Sequence, residues 1–170
     1  MLDIVVYPHP VLLEPAQPVE VFDEDLTKLV AEMHKTMIDA QGVGLAAPQV
    51  AISRQLCIVD LSVGEDPDQL YILINPQIIE ESGLQKGEEG CLSFPDIITV
   101  VERPYRVKIR CRNLAGDEVE VEAEDFLARA FCHEIDHLKG VVFTERVSAL
   151  KRNVIKKKVQ KRLKAGTWNR

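Results

Sequence analysis

Residues 126–139, FLARAFCHEIDHLK, constrain the fold more than any other part of the chain. Phe126, Leu127, Ala130, Phe131, Ile135 and Leu138 recur at helical spacing, yet they spread over more than one face. A helix of that kind is central and largely buried, so the rest of the chain must wrap it. Asp125 can cap its start, and Gly140 supplies the residue that ends it. The same segment carries His133, Glu134, Asp136 and His137. At about 3.6 residues per turn the two histidines stand one above the other on one face. Buried imidazoles and carboxylates need partners, because unpaired burial costs several kcal/mol. A divalent ion supplies one partner for both histidines.

The elements that would wrap this helix are legible in outline. The first twenty-two residues hold four prolines and are expected to run extended over the surface. Leu26, Leu29, Val30, Met33, Met37 and Ile38 predict a helix over 25–40, capped by Asp23 or Asp25 and stopped at Gly42. Residues 56–61 and 71–74 are apolar runs predicted as strands, the second halted at Asn75-Pro76. Residues 97–102 and 106–112 alternate and are β-branched, and the turn at 113–117 leads into 118–122, which predicts a hairpin or meander. A last helix is expected over 148–164, amphipathic, with Leu150, Val154, Ile155, Val159 and Leu163 set against a dense group of lysines. Strands come in runs rather than in βαβ alternation, which predicts an α+β fold: mainly antiparallel sheets packed around the central HExxH helix, with one helix at each end.

A chain of 170 residues fits one domain and can bury a substantial core. No stretch approaches the roughly 20 apolar residues of a membrane helix. The start, MLDIVVYPHP, lacks the charged region of a signal peptide, so a cytoplasmic location is expected. Cys57, Cys91, Cys111 and Cys132 show no close pairing, which argues against a disulfide framework. The net charge of −6 conceals an asymmetry. Residues 146–170 hold ten Lys and Arg and no acid, whereas the first 145 hold eleven bases against 27 acids. We therefore divide the single domain into a catalytic body, 1–147, and a basic helix and tail, 148–170, with the character of a docking appendage.

His133-Glu134-Ile135-Asp136-His137 matches HExxH, in which two histidines hold a metal and the glutamate moves a proton. A catalytic metal needs a third ligand. Metallopeptidases with this motif supply it downstream, but the position of their third histidine is Phe143, and the one later acid is Glu145, beyond the Gly140 break. An upstream ligand is the better candidate. Cys91 lies in Glu88-Glu89-Gly90-Cys91-Leu92-Ser93, where Gly87 and Gly90 allow close backbone approach, and its thiolate is a strong ligand. Cys57, Cys111 and Cys132 fit the commoner role of small buried hydrophobe. Three alternatives remain at this point: a zincin-like peptidase, a cysteine hydrolase built on Cys91 and a histidine, and a catalytically silent ribosome-binding protein.

Three segments together resemble one family, the peptide deformylases. Gly42-Val43-Gly44-Leu45-Ala46-Ala47-Pro48-Gln49 is similar to its GxGxAAxQ motif, Glu89-Gly90-Cys91-Leu92-Ser93 to its EGCLS, and residues 133–137 to its HExDH. The resemblance implies that Cys91, His133 and His137 hold one divalent ion, Fe²⁺ first, with Zn²⁺, Ni²⁺ or Co²⁺ also admissible. It implies Glu134 as the proton carrier, and the Gln49 side chain and Leu92 backbone N–H as oxyanion donors. Val43, Gly44, Leu45 and Gly90 would pair with an extended substrate. That substrate would be the N-formylmethionyl end of a nascent protein, and formate would be released. The basic helix would dock on the ribosome, and no membrane partner is implied. Four positions depart from the family pattern, among them Leu13 and His9 in place of the common Arg and Asp of the N-terminal segment. Cys132 precedes the first histidine, and Arg129 stands where an apolar wall of the methionine pocket is expected, which would alter side-chain preference. Asp136 is expected to orient the site through Arg103.

Overall fold

The computed structural model describes residues 1–169; Arg170, counted above with the basic tail, lies outside the described residues. Its elements run α1 (Glu24–Asp39), β1 (Gly44–Ala46), β2 (Leu56–Asp60), β3 (Leu70–Ser82), β4 (Gln85–Cys91), β5 (Phe94–Arg103), β6 (Arg106–Arg112), β7 (Glu118–Glu124), α2 (Asp125–Leu138) and α3 (Ala149–Lys164). All pairings are antiparallel: a five-stranded sheet in the order β1-β2-β3-β6-β7, and a separate β4-β5 ribbon. This is the expected α+β arrangement around α2.

Strand β2 shows how the helices are placed. Its side chains alternate between two faces, and both faces are covered. Cys57 and Val59 join Ala46, Leu73, Ile109 and Phe131 in the core under α2. Leu56 and Ile58 join Val30, Met33 and Met37 of α1 on the other side. Burial on both faces explains why this strand is one continuous apolar run. Phe131 is fully buried, and its truncation to alanine would cost about 3–5 kcal/mol.

Several boundaries differ from the sequence reading, each for a physical reason. Strand β3 does not stop at Asn75-Pro76 but runs through it. The register with β6 shifts between Ile74 and Gln77, and Asn75 is left-handed (φ 50°). Proline therefore occupies a bulge, where no ladder donor is needed. Helix α1 begins as expected, with Asp23 Oδ1 accepting from the Leu26 N–H at 3.0 Å. It ends at Asp39, and the chain is turned by Gln41 rather than Gly42: Gln41 is left-handed (φ 57°), and its N–H and that of Gly42 return to Ile38 and Met37 carbonyls. Asp125 does not cap α2; it is the first residue of that helix, at φ 56°. Gly140 does follow the end of α2, left-handed as expected (φ 73°). Residues 97–102 and 106–112 are not partners, since β5 pairs with β4 and β6 with β3 and β7; the hairpin is β6-β7.

Helix α3 is less amphipathic than its sequence suggests. Ile155 and Val159 pack with Leu12, Phe94, Phe143 and Trp168. Leu150 and Val154, expected on the same apolar face, are 76% and 61% exposed, and Leu163 is exposed as well. The N-terminal segment runs over the body, extended except for a 3₁₀ turn at Pro10–Leu13 that buries Leu12, and ties two site-bearing stretches together. The Val5 N–H donates to the Gln49 carbonyl and the Tyr7 N–H to the Ser93 carbonyl, both at 2.9 Å.

Candidate metal centre

The histidines arrive on α2, whose buried position was set by its apolar faces. His133 and His137 lie on one side of it, with ring centroids 5.1 Å apart. Cys91 arrives from the end of β4, where a register shift between Gly90 and Cys91 turns the strand. Its Sγ lies 3.4 Å from His137 Nε2. The ligand atoms of Cys91, His133 and His137 all fall within 4.8 Å of one another, a separation that one ion can span. Among the four cysteines, Cys91 alone is not buried. Cys132 is pushed up to about 11 by burial, so it stays a thiol beside the site.

Glu89 orients His133. Its Oε1 pairs with His133 Nδ1 at 2.8 Å, which leaves Nε2 to face Cys91 and His137. Burial alone would raise the Glu89 carboxyl, but the Arg103 hydrogen bonds and His133 outweigh it and hold it far below the usual range. Arg103 grips Glu89 through Nε and Nη2, both at 2.9 Å. Its Nη1 donates to Asp136 Oδ2 at 2.6 Å, and Asp136 also accepts twice from Arg146. The Arg103–Asp136 pairing expected from the sequence is therefore present. Glu89 and Arg146 were not assigned roles there. A carboxylate two positions before the candidate cysteine was the available signal for Glu89; Arg146 had none.

Glu134 has the opposite environment. Burial raises it to about 7; the His133 and Arg103 charges pull it back, and Glu89 adds to the rise. Its Oε2 is buried and, among the described residues, has no hydrogen-bond partner. Such an orphan is costly unless something fills the space before it. Burial and the neighbouring His133 charge drive His137 well below its ordinary value, which keeps it neutral and able to ligate. His133 is shifted upward: burial opposes this, but Cys91 and Glu89 outweigh it. The Glu89 carboxylate beside it favours a bound cation. The donor set, its spacing and the unfilled oxygen thus fit a divalent ion.

These groups open on a cleft of about 220 Å³ between the terminal strands of the two sheets. Val43 and Gly44 line one side, Gly90, Cys91 and Leu92 the other, with Gln49, His133 and Glu134 behind. Gln49 is locked in place: Oε1 accepts from the Ala46 N–H at 2.9 Å, and Nε2 donates to Ser93 Oγ at 3.3 Å and toward Cys91 Sγ at 3.5 Å. Leu45 is the exception among the expected residues. Its side chain is fully buried in the core under α1, because alternation on β1 turns it away from the cleft. A second space of about 140 Å³ adjoins, between Val43, Gly90, Phe126, Arg129 and Ala130.

Residues 1–153 match the family model described as polypeptide deformylase. The chain belongs to this family. A peptide deformylase of Acidobacterium capsulatum is 51% identical over 165 residues, covering 97% of each chain. Peptide deformylase 1 of Bacillus anthracis is 50% identical over 148 residues, 87% of this chain and 93% of its own. Among solved structures, a peptide deformylase from Legionella pneumophila superposes with a TM-score of 0.89 at 38% identity, over 97% of this chain and 98% of that one. The chain is accordingly a metal-dependent hydrolase of the deformylase family, acting on the N-formyl group of nascent proteins. That membership sets aside the peptidase and the silent binding protein as readings of the motif.

Proposed function

We propose that the cleft between β1 and β4 carries out this hydrolysis, with Cys91, His133 and His137 holding one Fe²⁺ and Glu134 moving the proton. The observation that carries the reading is the pairing of a three-ligand cluster with a buried, partnerless Glu134 Oε2 beside it. An ion held there supplies Lewis acidity and a water acidified toward neutrality. Intrinsic affinity favours Zn²⁺ over Fe²⁺, so Fe²⁺ rests on the family resemblance, with Zn²⁺, Ni²⁺ and Co²⁺ as substitutes.

The chain's own residues do the rest. An N-formylmethionyl end lies extended between the edge of β1, at Val43, Gly44 and the Leu45 backbone, and Gly90 of β4. Its first side chain enters the adjoining space lined by Val43, Phe126 and Ala130. The small formyl group reaches the cluster, and the amide carbonyl develops negative charge as water adds. We assign the Gln49 side chain and the Leu92 N–H as the donors that receive that charge. Glu134, poised near 7, takes a proton from the water at Oε2 and returns it to the departing nitrogen. Formate and a free amine leave.

The division into a catalytic body at 1–147 and a basic appendage at 148–170 belongs to the same proposal, as does a cytoplasmic location, where nascent chains emerge. Among the described residues, no helix is long and apolar enough to cross a membrane. Lys151, Lys156, Lys157, Lys158, Lys161 and Lys164 of α3 are exposed, and we assign them to ribosome docking. Deleting the helix would be a poor test, because Ile155, Val159 and Trp168 belong to the core. Charge reversal at Lys156, Lys157 and Lys161 should instead abolish salt-sensitive ribosome co-sedimentation and leave hydrolysis of a short peptide intact. The catalytic assignment is tested by formate release from a formyl-Met peptide with Glu134→Gln. The expected loss is about 10²–10⁴-fold; a variant at wild-type rate would reject the role.

A further inference from the structure

Glu89 holds His133, and every acceptor position of its carboxylate is used. Oε1 takes His133 Nδ1 and Arg103 Nη2; Oε2 takes Arg103 Nε and, at 2.7 Å, Arg129 Nη1. Arg103 cannot serve Glu89 alone, because its third donor is committed to Asp136. Arg129 does not present a free charge to the adjoining pocket: it is 4% exposed, and its Nη1 also donates to the Val101 carbonyl at 2.9 Å and the Gly87 carbonyl at 3.3 Å. Gly87 and Val101 face each other across the β4-β5 ribbon. One guanidinium on α2 thus grips both strands of the ribbon and the carboxylate it carries. Gly87 makes room for it, since a Cβ there would stand 3.1 Å from Arg129 Nη2.

The ligand set is divided in the same way. Cys91 belongs to the ribbon, His133 and His137 to the helix, and Arg129 lies one turn before His133 on that helix. We propose that Arg129 is a positioning residue of the metal centre: it fixes Glu89, and through it the His133 ring, and keeps the Cys91 ribbon at ligating distance from the histidine helix. The inference rests on the metal reading above. It replaces the expectation that Arg129 chiefly alters the side-chain preference of the pocket.

The test compares Arg129→Met, which keeps the stem without donors, with Arg129→Lys and with Gly87→Ala, which crowds the guanidinium. Co²⁺ is the probe. Its dissociation constant is read by chelator competition, and its thiolate charge-transfer band reports Cys91 ligation. Arg129→Met should weaken Co²⁺ binding about 10–100-fold and dim that band. It should lower kcat on a formyl-Met peptide with KM little changed. Arg129→Lys should recover part of the affinity, and Gly87→Ala should lose less than the methionine variant but in the same direction. Unchanged Co²⁺ affinity in Arg129→Met and Gly87→Ala would overturn the proposal, as would an effect confined to KM and to the choice between formyl-Met and formyl-Leu peptides. The metal arm reads out without catalysis, so a wild type that released no formate would overturn the functional reading and leave this one to be judged on Co²⁺ alone.

Discussion

Gly44→Ala isolates the position of the Glu134 carboxylate from its chemistry. Gly44 lies on the terminal strand β1 and does not occupy the left-handed region, so alanine fits its backbone without strain. A Cβ there would stand 2.5 Å from Glu134 Oε1 and 2.9 Å from both Cδ and Cγ. Ordinary contact between heavy atoms begins near 3.5 Å, so the carboxylate must retreat by about 1 Å. It cannot retreat with its helix, because α2 is buried along most of its length. A 1 Å misplacement of a reacting group commonly costs about 10²-fold, and that is the expected fall in kcat. Overpacking should lower stability by about 1–3 kcal/mol, which leaves the protein folded. The assay is formate release from a formyl-Met tripeptide, with metal content measured on the same samples. A variant with wild-type metal content and kcat within about threefold of wild type would refute the placement of Glu134 as the proton carrier.

Gln49→Ala should lower kcat by about 10²–10³-fold while metal content holds, because one oxyanion donor is lost but no ligand; single-turnover formate release measures it, and an unchanged rate would dismiss the donor role. Asp60, buried at the end of β2, accepts hydrogen bonds from Ser62, Gly64 and His34. Burial pushes its carboxyl up, but these donors win and hold it below the ordinary 3.8. The unfolded chain therefore binds the proton more readily, so the stabilisation is present above about pH 4 and fades as pH falls through the lower folded value. Asp60→Asn should be less stable than wild type at pH 7 in urea melts, with the gap closing at pH 3; a gap independent of pH would contradict this.

The three helices were legible to within about one or two residues because their apolar residues repeat at 3.6 and their ends carry ordinary signals such as Asp23 and Gly140. The candidate cluster was legible because chemistry restricts residue type: only a few side chains bind a divalent ion, and two of them sat four apart. Strand β4 was not, since Gln85–Cys91 is mostly charged residues and glycines and is held by its pairing with β5 and by Arg129. The passage of β3 through Pro76 depends on a bulge opposite β6, and sequence gives no sign of the partner's register. The partners of Arg129 were out of reach for a related reason. Its local spacing placed it at the pocket, while its charge was claimed by Glu89, forty residues away in the chain. On α3, charge and periodicity suggested a wide apolar face, but only Ile155 and Val159 find a surface to cover.

The central claim is that Cys91, His133 and His137 hold the ion on which hydrolysis depends. Its most direct measurement is a titration of metal-free protein with Fe²⁺ under anaerobic conditions, following formate release from a formyl-Met peptide against metal bound per chain, for wild type and Cys91→Ser. The rate should rise in proportion to bound metal and level off at one ion per chain, with Cys91→Ser failing to follow that line. Full formate release from the metal-free chain, as a thiol hydrolase built on Cys91 would give, would contradict it.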